Sequence, residues 1–281
     1  MVSVIICVKN SEKLLRDNLP ILRTSIPHAE LIVVDGDSID STRTIAEKFA
    51  DIVVSDEGKG LAYARQLGVI NANKRFVLFS GPDNRLSKQL LDSMIEALNA
   101  DPFLAGVSSQ TDVVDANTYW ECTTKYFFKY LINRPGLAVS IGTPCMFKRD
   151  IILHIPYDER IKAAGDDTDL SLRLYEAGYR LAIINEFSQE KNELNFAGFV
   201  NRWRWYGKGD AEFYEKHQKS WPLSRRLQSL THPFWKYMIK GAFIFLINGK
   251  PQYIPGLYLG VFARYQGWLM RANELKEKVD V

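Results

Sequence analysis

Apolar and polar positions follow one another in a regular order over the first 110 residues. Val2–Val8, Leu31–Val34, Asp51–Val54, Phe76–Phe79 and Leu104–Val107 are short runs rich in Val, Ile, Leu and Phe. Runs of this kind are buried strands. The segments between them, Ser11–Thr24, Ser41–Phe49, Gly60–Ala72 and Ser87–Leu98, carry apolar residues at helical spacing, and Ser41 and Ser87 stand where an N-cap is expected. Strand–helix alternation predicts an α/β fold: a Rossmann-like, mostly parallel sheet flanked by helices.

Further along, the pattern is less regular. Thr118–Ile132 is aromatic-rich and reads as a helix, and Ile141–Phe147 as a turn entering a strand. Asp166–Ala177 reads as a helix stopped by Gly178, Tyr179–Ile184 as another strand, and residues 195–215 as a helix. Two apolar faces at helical spacing follow: Phe234, Trp235, Met238, Ile239 and Phe243, then Leu257, Tyr258, Val261, Phe262, Tyr265, Trp268 and Leu269. The expected organisation is a body over residues 1–215 and a C-terminal, amphipathic helical extension over 216–281.

Charge sharpens that division. From Lys216 to Asn273 there are nine Lys or Arg and no Asp or Glu, which leaves 27 basic and 33 acidic residues elsewhere in the 281-residue chain. Helices packed on the body would explain the apolar faces. Helices lying on an anionic membrane surface would explain the faces and the charge together. No run of about 18 apolar residues is present, so a conventional span is not expected. The apolar N-terminus, without a basic leader, reads as a strand and not as a signal peptide. No nucleic-acid-binding module is recognisable, and no such partner is expected. The three cysteines, Cys7, Cys122 and Cys145, are odd in number and widely spaced, which excludes a paired disulfide framework and fits a reducing, cytoplasmic setting. No zinc-ligand spacing occurs.

In open α/β sheets ligands sit beyond the carboxyl ends of the strands. There the chain has Lys9-Asn10-Ser11-Glu12, Asp35-Gly36-Asp37-Ser38-Ile39-Asp40-Ser41-Thr42 and Ser80-Gly81-Pro82-Asp83-Asn84-Arg85. Each is ordinary turn chemistry taken singly. Three at one sheet edge, two with carboxylates, suggest a site. A further acidic cluster, Gly165-Asp166-Asp167-Thr168-Asp169, opens the helix at 166. One carboxylate suffices to cap a helix. The surplus suits a base or a metal ligand.

In their order these features resemble the family 2 glycosyltransferases, with their nucleotide-sugar-binding GT-A fold. Val2–Ile6 with Asn10-Ser11-Glu12 begins the likeness, and Val33–Thr42 is similar to the family's "VDDGSTDGT". Gly60–Gly68 is similar to "G-x-x-x-ARN-x-G", and Phe79–Leu86 stands where the family has Asp-x-Asp. Tyr157-Asp158-Glu159-Arg160 followed by Asp166–Leu170 is similar to "FDE…EDTDL". The resemblance covers roughly residues 1–210.

It implies an inverting transfer of a sugar from a nucleotide-sugar, UDP-linked in the first instance and GDP-linked in the second, to a hydroxyl acceptor. Asp35 would face the base or ribose, with Asp37 a weaker candidate; Arg65 would lie near the base; Asn10 and Glu12 would border the donor. Asp83 would meet Mg²⁺ or Mn²⁺ and the diphosphate, with Asn84 supplying an amide oxygen. Asp167 would be the general base and Asp166 its catalytic neighbour. Asn201-Arg202-Trp203-Arg204-Trp205 resembles the Gln-x-x-Arg-Trp element of processive synthases, in which Arg204 would meet the diphosphate. A helix face of mixed aromatic and basic residues explains the same residues without a ligand.

The chain departs from the pattern at Gly81 and Gly36, where the family has Asp, and no His falls after the last strand of the body. A glycan or lipid-linked acceptor suits the basic, aromatic extension, and the expected location is cytoplasmic, peripheral on the inner face of the cell membrane. Two alternatives stand beside this reading. A sugar-phosphate nucleotidyltransferase needs a glycine- and cation-rich loop after the first strand, and Lys9–Glu12 has no glycine. A nucleotide-sugar-binding module without catalysis would be consistent with Gly81.

Overall fold

The computed structural model describes residues 1–191 and 193–277. In chain order it contains β1 (Val2–Val8), α1 (Glu12–Ser25), β2 (Glu30–Asp35), α2 (Thr42–Phe49), β3 (Ile52–Ser55), α3 (Leu61–Asn71), β4 (Phe76–Ser80), β5 (Asn84–Arg85), α4 (Lys88–Ala100) and β6 (Leu104–Val114). Then come α5 (Tyr119–Phe127), β7 (Gly136–Ala138), β8 (Cys145–Lys148), α6 (Arg149–His154), α7 (Asp166–Glu176), β9 (Arg180–Lys191), α8 (Phe196–His217), α9 (Leu223–Pro233), α10 (Ala242–Ile247) and α11 (Ile254–Glu277). Short π-helical stretches continue α5 over Phe128–Ile132 and link α9 to α10 over Phe234–Gly241.

The chain forms two compact units. The first comprises Met1–Asp112, Arg134–Arg160 and Asp167–Lys191. Its sheet runs β3-β2-β1-β4-β8-β6-β9-β5, with β7 also paired to β9. β1 through β4 are parallel neighbours, as the strand–helix alternation predicts. The expectation of a mostly parallel sheet stops there, because β8 pairs antiparallel with both β4 and β6, and β5 and β7 pair antiparallel with β9. A parallel neighbour needs a crossover of a dozen or more residues, usually a helix. Past residue 100 the apolar runs lose that spacing, and the sheet becomes mixed.

Alternate side chains of β1 build the two faces. Val4 and Ile6 join Leu15, Leu19 and Leu22 of α1 and Leu90, Met94 and Leu98 of α4 in one core. Ile5 joins Ala62, Ala64 and Val69 of α3 and Ile152 of α6 in the other. Of the two expected N-caps, Ser87 accepts the Leu90 N–H at 3.1 Å, while Ser41 makes no side-chain capping bond.

The second unit comprises Val113–Asn133, Ile161–Asp166 and Asn192–Val281, and the boundary expected at 215/216 falls inside α8. Residues 278–281 of the expected extension lie outside the described residues. Its core gathers Phe127, Phe199, Trp203, Tyr237, Phe245, Leu257 and Val261. α8 and α11 touch backbone to backbone, because Gly207 lies on the Arg264 carbonyl and Gly267 on the Arg204 carbonyl with no room for a Cβ. Arg264 pairs with Asp210 at 2.7 Å and Arg271 with Glu212 at 2.6 Å. Of the two expected apolar faces, the later buries Leu257 and Val261, whereas Trp235, Ile239 and Phe243 of the earlier one remain exposed.

Glu121 ties this unit's entry together. It forms a capping box with Thr118, and its two oxygens accept the N–H groups of Asn117 and Thr118 (both 2.9 Å) and Leu194 (3.0 Å). Burial pushes the Glu121 carboxyl up, but these backbone donors together hold it below its ordinary value. A carboxylate lowered by folding contributes stability above its unfolded pKa and loses it as pH falls through the folded one. Glu121→Gln is therefore expected to cost about 1–3 kcal/mol at neutral pH and less at acid pH, measured by urea unfolding at both.

Candidate active site

The register puts five polar segments of the first unit at one sheet edge. Val8 pairs with Asp35, Asp35 with Ser55 and Ile6 with Ser80, so the carboxyl ends of β1 to β4 lie side by side. β8 runs the other way, with Cys145 opposite Phe79, and this brings the preceding Gly142-Thr143-Pro144 turn to the same edge. The first three strands each end in a turn with one non-glycine residue of positive φ: Asn10 (47°), Asp37 (61°) and Glu57 (54°). Asn and Asp tolerate that region better than most residues, so the polar composition of the first two turns has a local cause.

Asp35 is 3% exposed. Its Oδ2 accepts the Ser38 N–H at 3.2 Å, and its Oδ1 is buried with no hydrogen-bond partner among the described residues. A buried carboxylate oxygen without a donor is costly, so one at a ligand-binding edge marks a place for an incoming N–H or O–H. Asn10 and Glu12 are engaged with the neighbouring loop instead. The Asn10 N–H donates to Ser38 Oγ at 2.8 Å and its Oδ1 accepts the Ile39 N–H at 3.0 Å. Glu12 accepts the Ser41 N–H at 3.3 Å and pairs with Arg16 at 2.5 Å. Asp37 is exposed at the tip of the turn. Sequence reading passed over Asp56, 2% exposed after β3, whose carboxylate accepts the Gly58 N–H at 2.7 Å. Its position just past a parallel strand was the available signal.

Arg65 projects from α3. Its guanidinium donates to Thr143 Oγ1 at 3.1 Å and lies 5.8 Å and 5.7 Å from the ring centres of Phe79 and Tyr157. Stacked and bonded in this way, it is a preorganised cation. Beside Thr143, Gly142 faces Asp167: a Cβ at that glycine would stand 3.4 Å from Asp167 Oδ2. Asp167 Oδ1 accepts the Thr168 N–H at 2.6 Å. The acidic cluster thus resolves into different environments. Asp169 is fully buried and pairs with Arg173 at 2.8 Å, and Asp166, the first residue of α7, is 2% exposed. Asp167 is half-buried and is the most accessible of the three.

The loop after β4 holds Asp83 and Asn84. Asn84, expected to offer an amide oxygen to a cation, is 5% exposed, and that oxygen accepts the Gly81 N–H at 2.7 Å, closing the turn. No group of three Asp, Glu, His or Cys side chains suited to a metal ion occurs among the described residues. Asp83 is the carboxylate of this loop. Mg²⁺ and Mn²⁺ are commonly held by one or two carboxylates plus substrate phosphates and water, so Asp83 fits a cation shared with a diphosphate and not one caged by protein. Arg204 belongs to the second unit, where it donates to Gln266 at 2.8 Å and to Asn201 at 3.4 Å.

The model of the family described as glycosyl transferase family 2 matches residues 3–155, and that of glycosyl transferase family group 2 matches residues 80–266. TuaG of Bacillus subtilis (strain 168), named for teichuronic acid biosynthesis, is 33% identical over 103 residues, 34% of this chain and 41% of TuaG. The chain spans less than half the length of the curated relatives it matches. Among solved structures, the fold is similar to that of the mannosyltransferase PcManGT from Pyrobaculum calidifontis in complex with GDP-Man and Mn²⁺ (TM-score 0.61, 17% identity, 99% of this chain and 80% of that one). It is similar also to S. aureus TarS 1-349 in complex with UDP-GlcNAc (TM-score 0.55, 15% identity, 99% and 92%).

Proposed function

Because the chain belongs to glycosyl transferase family 2, whose model matches more than half of it, we propose that it transfers a sugar from a nucleotide-sugar to a hydroxyl acceptor with inversion at the anomeric carbon. The unpartnered Asp35 Oδ1 at the carboxyl edge of the parallel strands carries this reading. A nucleobase or ribose brings the N–H or O–H donor that this oxygen lacks. Arg65, held by Thr143, Phe79 and Tyr157, lies at the same edge to steady an anionic donor.

An alcohol is a weak nucleophile at neutral pH, so a positioned carboxylate has to take its proton as the new bond forms. Asp167 has that role in this reading. Its carboxylate accepts the acceptor's hydroxyl proton, the oxygen attacks the anomeric carbon, and the nucleoside diphosphate leaves from the opposite face. Gly142 keeps the space in front of Oδ2 open for the acceptor. Asp83 would hold a divalent cation together with the donor's phosphates, and such a cation neutralises the charge that builds on the diphosphate.

A UDP-sugar is the first candidate donor, as in the TarS complex, and a GDP-sugar the second, as in the PcManGT complex. A glycan or lipid-linked acceptor is in keeping with TuaG's named role in teichuronic acid biosynthesis. We read the enzyme as cytoplasmic and peripheral on the inner face of the cell membrane, supported by the nine-to-none excess of basic residues from Lys216 to Asn273.

Proton NMR of the sugar first released from a UDP-sugar by slow hydrolysis tests the reaction. Opposite anomeric configuration is expected; retained configuration would overturn direct displacement. Gly81 favours one rival, a binding module without catalysis, which would release no sugar. Gly81→Asp tests the cation's place. Its Cβ would meet Asp83 Oδ1 at 2.5 Å and Asn84 Oδ1 at 3.0 Å, so the Asp83 side chain has to rotate and the Asn84 amide to give by a few tenths of an ångström. A second carboxylate is expected to lower the Mn²⁺ concentration for half-maximal diphosphate release by about tenfold; an unchanged midpoint would remove Asp83 from the metal site.

A further inference from the structure

Residues 223–247 of the second unit form one unbroken helical run: α9, the π-helical stretch Phe234–Gly241, then α10. Every fourth side chain repeats the same environment. Leu223, Leu227, Trp235, Ile239, Phe243 and Ile247 are each more than half exposed. Thr231 takes the remaining place in the row and turns its hydroxyl back to the Leu227 carbonyl at 2.8 Å. A second row, Pro233, Tyr237, Gly241 and Phe245, is buried throughout.

An every-fourth row does not stay straight on an α-helix, whose turn takes 3.6 residues. Over a run of this length it would wind well round the axis, and Phe243 and Ile247 would turn towards the packed side. The wider π turn, with its i→i+5 bonds, makes such a row drift in the opposite sense. The π stretch in the middle of the run therefore cancels much of the α-helical drift. It keeps the apolar row facing outward along the run and the row from Pro233 to Phe245 facing the core.

Beside the exposed row, one residue further along, stand Ser224, Gln228, His232, Lys236, Lys240 and Ile244, with the two lysines at its centre. No acidic residue occurs anywhere from Lys216 to Asn273. Among the described residues no helix is long and apolar enough to cross a membrane. Leu, Trp, Ile and Phe in one row and lysines in the next are the composition of a helix that lies in the plane of a membrane interface.

We propose that the run 223–247 is a lipid-docking surface that lies on a bilayer bearing anionic lipid. Leu227, Trp235, Ile239, Phe243 and Ile247 enter the boundary between headgroups and acyl chains, and Lys236 and Lys240 meet the lipid phosphates. The proposal rests on the peripheral reading and goes beyond it, assigning the contact to one face and giving the π stretch a purpose. A second copy of the chain fits this face poorly, because two-fold pairing would set Lys236 and Lys240 against their own counterparts.

Vesicle sedimentation of the full chain tests it, with phosphatidylcholine alone and with added phosphatidylglycerol. The wild type is expected to bind the anionic vesicles. The combined change Trp235→Ser, Ile239→Ser and Phe243→Ser is expected to weaken that binding by about tenfold or more, and Lys236→Glu with Lys240→Glu to weaken it on anionic vesicles. Phe262→Ser, on α11, should leave it unchanged. The conservative Trp235→Phe should remove most of the blue shift in tryptophan fluorescence that vesicles induce, independently of whether the triple variant folds. If the wild type binds and the triple variant binds equally, the face is wrong and the peripheral reading survives. Loss on Phe262→Ser instead moves the contact to α11. A wild type that binds no vesicle overturns both, and a wild-type dimer dissolved by the triple change makes the face a protein interface.

Discussion

Asp167→Asn is expected to keep donor binding and to lower turnover by at least about 10²-fold, the usual scale for a general base. Asn is nearly isosteric, and its amide oxygen can still accept the Thr168 N–H that Asp167 Oδ1 accepts at 2.6 Å, so the start of α7 has no reason to move. What is lost is the capacity to take a proton from the acceptor hydroxyl. The loss should fall on kcat, with the KM for the nucleotide-sugar nearly unchanged, because the group acts in the transition state and not in donor binding. Asp169→Asn is a useful contrast. Asp169 is fully buried and paired with Arg173, so its replacement should lower stability before it touches the reaction. Near-normal turnover by Asp167→Asn, measured as diphosphate release, would remove Asp167 from the mechanism.

The second large effect is expected at Asp35. Asp35→Asn should weaken binding of the nucleotide by about 10- to 100-fold, the equivalent of one hydrogen bond to a charged group. Thermal stability should hold or rise. Those two results separate a ligand-binding carboxylate from a structural one. Oδ1 is buried without a partner, so removing its charge relieves a cost in the empty protein. Oδ2 accepts one backbone N–H, from Ser38, a bond that an amide oxygen can keep. Titration calorimetry with UDP and with GDP, beside a melting curve, reads both. Unchanged nucleotide affinity, or a marked fall in melting temperature, would make Asp35 part of the scaffold.

Much of the first unit was legible in the sequence. The runs that predict β1 to β4 end within one or two residues of the observed strands, because a strand buried on both faces must be apolar throughout. The helix at 166 and its stop at Gly178 (φ 86°) were legible for the same kind of local reason. The antiparallel half of the sheet was not. β8 finds its neighbours β4 and β6 across long stretches of chain, and nothing local in Cys145–Lys148 encodes direction.

The site divides similarly. Sequence pattern selected Asp35 and Asp83, at the end of β2 and just after β4 at one sheet edge, and Arg65 and Asp167, on α3 and α7, which stand against Thr143 and Gly142 of the turn before β8. It could not tell that Asn84 would spend its amide oxygen on Gly81, since that depends on how the turn closes. Nor could it separate three adjacent carboxylates by burial, which the packing around Asp166 and Asp169 decides. The π stretch was equally invisible, because residue periodicity presumes the α-helical turn.

The central claim is that the edge of the first unit's sheet transfers a sugar from a nucleotide-sugar. Its most direct test is nucleoside diphosphate release by the full chain from a panel of UDP- and GDP-sugars with Mn²⁺, run beside Asp167→Asn. Release is expected from one nucleotide class with the wild type, reduced by at least about 10²-fold in the variant. No release from any donor, or equal release by both proteins, would contradict it.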